Sequence, residues 1–218
     1  DRVLAGTSAG CVFTTVNALK TTGATRWTRG AGLPDGFVSS VAFHPDDVNT
    51  AYATYSTFGV PHVWKSTDGA TWTNIDGAGA TAIPDVPVNA IAVDPNSPTR
   101  LYVGSDVGVF SSMDGGQTWA VENTGFANVV TEHLATGYIG GAPYLFAFTH
   151  GRGAWRTALV PTPADLVLDP APRTTPRSVL PGGTVTVDHT VRNAGQASGG
   201  ASVVGFALVP ASGPDIPL

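Results

Sequence analysis

Short runs rich in Val, Thr, Tyr and Phe recur along this chain, each bounded by Gly, Pro, Asn or Asp. Alternation over so few residues predicts half-buried strands, and the Gly and Pro between them predict tight turns. No stretch of helical length carries apolar residues at three- and four-residue spacing, so helices are expected to be rare. The fold class read from the pattern is all-β.

The pattern repeats. Val38-Ser-Ser-Val-Ala-Phe-His-Pro45 and Val88-Asn-Ala-Ile-Ala-Val-Asp-Pro95 match position by position at a displacement of fifty residues. Pro34-Asp35 matches Pro84-Asp85 in the same register, and Tyr52 matches Tyr102. Downstream, Trp64 falls on Phe110, Asp68 on Asp114 and Trp72 on Trp119, so the loops between differ in length by a few residues. Partial copies flank these two. Gly10-Cys-Val-Phe13 and Trp27 stand before them, and Leu145-Phe-Ala-Phe-Thr149 with Gly153-Ala-Trp155 stands after. One full copy predicts four strands, near 37–43, 50–55, 62–66 and 71–75. Four short strands at this period read as a propeller blade. The recurring aromatics Phe13, Trp64, Phe110 and Trp155 are then the wedges that pack blade on blade. The first copy lacks its inner strand and the last its outer one. The chain is therefore expected to hold three to four blades: either upstream sequence completes a larger propeller of which this is the C-terminal part, which is favoured, or the two partial copies join into one composite blade.

Composition narrows the function. Of 218 residues, 42% are hydrophobic and 12% charged, too apolar for disorder. No run is long enough for a membrane span. Eleven basic residues stand against sixteen acidic ones, with no basic stripe, which argues against nucleic acid as a partner. Cys11, the single cysteine, excludes an internal disulfide and a cysteine metal site, and reads as a small core residue. The five histidines lack ligand spacing, so no metal and no cofactor are expected. The chain opens on Asp1 without a signal segment and reads as a piece of a longer protein.

Ser66-Thr-Asp68-Gly-Ala-Thr71-Trp72 and Ser112-Met-Asp114-Gly-Gly116-Gln-Thr118-Trp119 resemble the Asp-box, or BNR repeat, of motif Ser-x-Asp-x-Gly-x-Thr-Trp. The second segment fits in full, and the first is one residue short between Asp68 and Trp72. The resemblance covers residues 1–158 and implies a propeller like those of sialidases, xyloglucan-degrading glycoside hydrolases and sortilin-like receptors. It also implies that the box is a structural turn between third and fourth strands, away from any catalytic face. After the proline-rich linker 159–164, Ala164-Asp-Leu-Val-Leu-Asp169, Leu180-Pro-Gly-Gly-Thr-Val-Thr-Val187 and Thr190-Val-Arg-Asn193-Ala-Gly195 look like the opening of a CARDB domain. This is an Ig-like bacterial adhesion module, here cut off over 165–218 with room for about three strands. The two resemblances together imply a secreted or cell-surface location.

In a four-stranded meander, alternate connections share a face. The face opposite the Asp-box turns is expected to carry Asp35, Asp85, Tyr55, Phe58, His62, Asp106, His150 and Arg152. Carboxylates and aromatics suit a sugar ligand. Hydrolysis would need two carboxyl groups about 5–5.5 Å or 6.5–9.5 Å apart, with Asp106 and Asp85 as local candidates. Each Asp also has a turn-forming reading. A sialidase would need three arginines and a tyrosine nucleophile with a companion Glu, and only Arg152 falls on this face. The favoured reading is a non-catalytic binding or adhesion module for an extracellular polysaccharide or surface protein. The alternative is the C-terminal portion of a glycoside hydrolase with its carboxylates partly upstream. A purely architectural appendage is the third.

Overall fold

The computed structural model describes residues 1–159, except 17, 21, 124, 126 and 127. Beyond them it describes 166–168, 173–175, 184, 186–188, 190–193, 207–208 and 216–217. The chain divides into two compact units, Asp1–Val160 and Pro161–Leu218.

In the first unit, two copies form complete four-stranded antiparallel sheets. One comprises β4 (Val38–Phe43), β5 (Ala51–Tyr55), β6 (Val63–Ser66) and β7 (Thr73–Asn74), paired in chain order. The next comprises β8 (Val88–Asp94), β9 (Ser97–Ser105), β10 (Gly108–Ser112) and β11 (Ala120–Val121), again in chain order. They are flanked by sheets that are three-stranded among the described residues. Before them stand β1 (Arg2–Gly6), β2 (Val12–Val16) and β3 (Thr28–Arg29); after them β12 (Thr131–Ile139), β13 (Ala142–Thr149) and β14 (Gly153–Ala158). Among the described residues, the first sheet has no inner strand and the last no outer one. The inner strands pack in series, β4 against β8 and β8 against β12. The described helical structure of this unit is two single turns, Ala18–Lys20 and Gly79–Thr81. This is an all-β, propeller-like array of four blades that does not close on itself.

Register shows that the four aromatics occupy one position of the repeat. Phe13, Trp64, Phe110 and Trp155 lie on the third strand of successive blades, opposite Ala5, Ala53, Val103 and Ala147 on the second. The small partner leaves the ring room to reach the preceding blade. Three cores result, one per blade junction. Val12 meets Val38, Ala53, Tyr55, Trp64 and Trp72 at the first. Tyr52 and Val63 meet Ile91, Val103, Phe110 and Trp119 at the second. Tyr102 and Val109 meet Leu134, Leu145, Ala147 and Leu159 at the third. Leu159, expected in the linker, is thus part of the blade core, and its N–H bonds to the Pro143 carbonyl at 2.9 Å. Cys11, expected in the core, is half-buried in the connection before β2.

Among its described residues, the second unit holds six short strands paired two by two: Leu166–Leu168 with Val191–Asn193, Arg173–Thr175 with Thr186–Asp188, and Ala207–Leu208 with Ile216–Pro217. That is more strand than the three segments expected from the sequence. The Pro181-Gly-Gly turn, Val185, Ala194-Gly195 and linker residues 160–164 lie outside the described residues.

Candidate functional site

The two turns joining third to fourth strands are built by their own side chains. Ser66 Oγ donates to Asp68 Oδ1 (3.0 Å), and that oxygen accepts the N–H groups of Ala70 and Thr71 (both 2.7 Å). Ser112 Oγ likewise donates to Asp114 Oδ1 (2.8 Å), which accepts Thr118 N–H (2.9 Å), while Thr118 Oγ1 donates to Asp114 Oδ2 (2.7 Å). The missing residue in the first turn is absorbed locally. Ser66 accepts the N–H of Gly69, three residues on, whereas Ser112 accepts that of Gly116, four residues on. The N–H groups of Thr71 and Ala70, then the Ser66 hydroxyl, hold the Asp68 carboxyl down at about 2. Asp114 is also lowered: burial pushes it up, but its bonds from Thr118 and Ser112 outweigh that. These carboxylates are committed to the turn. Trp72 and Trp119 follow directly and are buried at the junctions.

The opposite ends of the blades carry a different construction. The inner strands β4, β8 and β12 each bulge at one equivalent point, at Ser39, Asn89 and Glu132. A bulge interrupts alternation and re-aims one side chain. Ser39 Oγ reaches the next blade at the Val88 carbonyl (2.5 Å), and Asn89 Nδ2 reaches the equivalent Thr131 carbonyl (3.5 Å). Facing the bulges is the first residue after each second strand: Ser56, Asp106 and His150. Their N–H groups make the same bond in each blade, to the carbonyls of Phe37 (3.1 Å), Pro87 (3.1 Å) and Val130 (2.9 Å). Bulge and rim then pair through side chains. Asn89 Nδ2 donates to Asp106 Oδ1 (2.9 Å), and Glu132 Oε1 bonds His150 Nδ1 (2.8 Å). The result is a polar arc, Asp106–Asn89 on one blade and Glu132–His150 on the next, exposed except for the half-buried Asn89.

Other residues expected on this face behave differently. Tyr55 is 0% exposed, and its hydroxyl donates to the Gly10 carbonyl (2.7 Å) in the preceding blade. Burial pushes that hydroxyl well above its ordinary range. Tyr55 therefore cannot meet a ligand, because the alternation of β5 turns it into the first junction. His62 is 2% exposed, its ring between the Tyr55 carbonyl (3.0 Å) and Asp85 Oδ1 (3.2 Å). Asp85 Oδ1 also accepts Gly59 N–H (2.7 Å), so this carboxylate ties the 56–62 connection to the loop leading into the next blade. Asp35 and Arg152 are exposed on turns, and the Arg152 carbonyl accepts Trp155 Nε1 (3.1 Å). Phe58 is exposed.

Of the expected set, the structure brings Asp106 and His150 to one arc and Asp85 and His62 to a separate tie. Asn89 and Glu132 were missed. The available signal was a polar residue at one repeat position, 39, 89 and 132, immediately after an otherwise apolar or β-branched one. Among the described residues, no group of three or more His, Cys, Asp or Glu side chains is placed to hold a metal.

Fold and site together define an all-β, propeller-like module with a polar rim at the inner-strand ends. No family model matches the sequence, and no curated protein matches it. Among solved structures, the GH74 enzyme of Niastella koreensis is similar at a TM-score of 0.50 and 16% identity, covering 73% of this chain and 28% of that one. The extracellular domain of a proposed one-component system from B. thetaiotaomicron is similar at 0.50 and 17% identity, covering 72% of this chain and 19% of that one. Both likenesses show the propeller fold, and this chain spans less than a third of the length of either structure.

Proposed function

We propose that this chain is a carbohydrate-binding propeller module of an extracellular protein, with its ligand seated on the Asp106–Asn89–Glu132–His150 arc. The observation that carries the reading is the bulge repeated at one register in three inner strands, beside which Asn89 pairs with exposed Asp106 and the exposed Glu132 pairs with exposed His150. Two carboxylates, an amide and an imidazole offer donors and acceptors in the mixture that sugar hydroxyls require. The GH74 enzyme among the similar structures belongs to a class of propeller glycoside hydrolases, and the second is an extracellular domain; both support the reading. The bonding of the Ser66–Trp72 and Ser112–Trp119 turns supports taking them as Asp-boxes, structural in role. The tail resemblance supports a secreted or surface-bound adhesion setting.

A direct test is calorimetric titration of the full chain with soluble plant-cell-wall and bacterial-surface polysaccharides. Saturable binding that falls at least tenfold in Asp106→Asn and Glu132→Gln, with unchanged circular dichroism, is the expected result. Absence of any glycan ligand, with capture by a surface protein instead, would move the module to protein adhesion. The glycoside hydrolase reading rests on Asp106 and Glu132 lying on neighbouring blades. It requires release of reducing sugar that either variant abolishes.

A further inference from the structure

The connections between second and third strands are not held alike. In the last two blades they are tight turns, 106–107 between β9 and β10 and 150–152 between β13 and β14. The blade of β4 to β7 spends residues 56–62 on the same crossing, and Phe58 within it is exposed. The start of this connection is fixed inside its own blade. Ser56 N–H donates to the Phe37 carbonyl (3.1 Å), and Thr57 Oγ1 accepts Phe37 N–H (2.8 Å). The centre is fixed by the following blade, where Asp85 Oδ1 accepts Gly59 N–H (2.7 Å). The end is His62, whose buried ring touches both supports: Nδ1 lies 3.0 Å from the Tyr55 carbonyl, and Nε2 lies 3.2 Å from the same Asp85 Oδ1. Two residues before the recurring aromatic, the other blades carry Cys11, Gly108 and Gly153 in place of His62. Among the described blades, only this junction has the tie.

These contacts fix the charge of the ring. A carbonyl oxygen only accepts, so Nδ1 must donate to Tyr55. Asp85 Oδ1 already accepts Gly59 N–H, the role of an ionised oxygen, so Nε2 must donate as well. A histidine that donates from both nitrogens is an imidazolium, and its surroundings suit that charge. Asp85 faces it from the loop leading into β8. Asp76, beyond β7, accepts the backbone N–H groups of His62 (2.8 Å) and Val63 (2.6 Å). The Tyr55 hydroxyl is turned away, onto the Gly10 carbonyl. We propose that His62 and Asp85 form a proton-operated clasp, which holds the 56–62 connection shut on the next blade while the ring is charged and frees it when Nε2 gives its proton to solvent. A neutral ring that keeps its Nδ1–H on Tyr55 turns a lone pair on the carboxylate, and at 2% exposure water cannot cover the mismatch. Asp85, with its side chain 60% exposed, is the member able to withdraw, and Gly59 loses its acceptor with it. Histidine is the side chain that ordinarily changes charge between about pH 5 and pH 8. No residue of the clasp belongs to the polar arc, so the inference stands apart from the glycan reading.

The test is a titration of the ¹⁵N-labelled full chain between about pH 5 and pH 9. Two-bond ¹H–¹⁵N spectra are expected to show both ring nitrogens of His62 protonated at the acidic end and the Nδ1–H tautomer at the alkaline end. Over the same step, protection of the Gly59 amide, read as its solvent exchange relative to an unstructured peptide at the same pH, should fall at least tenfold. Protection of Ala53 in β5 should stay within twofold, which separates opening of the clasp from loss of the blade. Asp85→Asn supplies the uncoupled reference, because a carboxamide can accept from Gly59 and donate to a neutral Nε2. In that variant Gly59 protection should change less than twofold while His62 still titrates. A His62 ring that keeps one charge state throughout, a Gly59 amide that does not follow it, or an unaltered dependence in Asp85→Asn would overturn the proposal. The unsubstituted chain decides the matter alone if Asp85→Asn misfolds.

Discussion

Asp68 and Asp114 each spend a carboxylate on closing a turn, and this fixes how acid acts on the blades. Asp68 is held at about 2, below its ordinary 3.8, by the N–H groups of Thr71 and Ala70 and the Ser66 hydroxyl, and Asp114 is displaced in the same direction. A carboxyl lowered by folding stabilises the native state above its ordinary value and loses that contribution as pH falls through its folded value. Urea unfolding midpoints are therefore expected to drop between about pH 4 and pH 2, with a shallower drop in Asp68→Asn. The two turn tryptophans offer a paired test. Trp119 Nε1 is bonded to Ile75, whereas Trp72 Nε1 is buried without a partner. Trp119→Phe should cost roughly 1 kcal/mol more than Trp72→Phe in denaturant titrations, because only the first loses a hydrogen bond. Full truncation, Trp119→Ala, should cost about 3–5 kcal/mol. The turn side chains were legible in the sequence because their bonds span four residues at most. Tyr55 and His62 were not, because their burial is decided by Gly10 of one neighbouring blade and Asp85 of the other.

At the level of elements, strands could be placed within a residue or two, since the repeat reports each boundary twice. The bulges could not. A bulge is a property of two paired strands, and Asn89 follows Val88 in a run that reads as unbroken alternation. Its effect is to carry Glu132 outward while Leu134 remains in the core. Close inter-blade approach has its own signature at Gly104, where an added Cβ would lie 2.8 Å from Thr131 Cγ2 and 2.9 Å from its carbonyl oxygen. Gly104→Ala must push β12 away from β9, and overpacking of this kind costs about 1–3 kcal/mol, measurable as a lowered melting temperature. The β8–β9 hairpin is pinned at its far end by Arg100, whose Nη1 meets Asp94 Oδ2 at 3.1 Å with both side chains buried. Arg100→Ala leaves the Asp94 carboxylate buried without that counter-charge and should cost about 3–5 kcal/mol in the same assay.

Among the described residues, the two middle blades have a blade packed on each side. Amide exchange should therefore be slowest in β5 and in β8 to β10, the strands of those two blades, and faster in the flanking sheets. Equal protection of β14 and β10 would mean that the array does not lose structure from its ends. The propeller architecture was legible because every copy must present the same wedge to its neighbour, which preserves the aromatic position even where the turn has lost its Ser and Asp, as before Trp27. The rim was only half legible, since Asp106 and His150 stand in recognisable connections but their partners are displaced by bulges.

The five tryptophans give the molecule a built-in optical readout. Trp72 and Trp119 are enclosed between blades, whereas Trp27 is 45% exposed. Acrylamide should quench Trp27 and Trp155, 45% and 40% exposed, first and leave a blue-emitting fraction from the enclosed tryptophans. Loss of that shielded fraction would report blades parting while the individual sheets still give a β-rich far-ultraviolet spectrum.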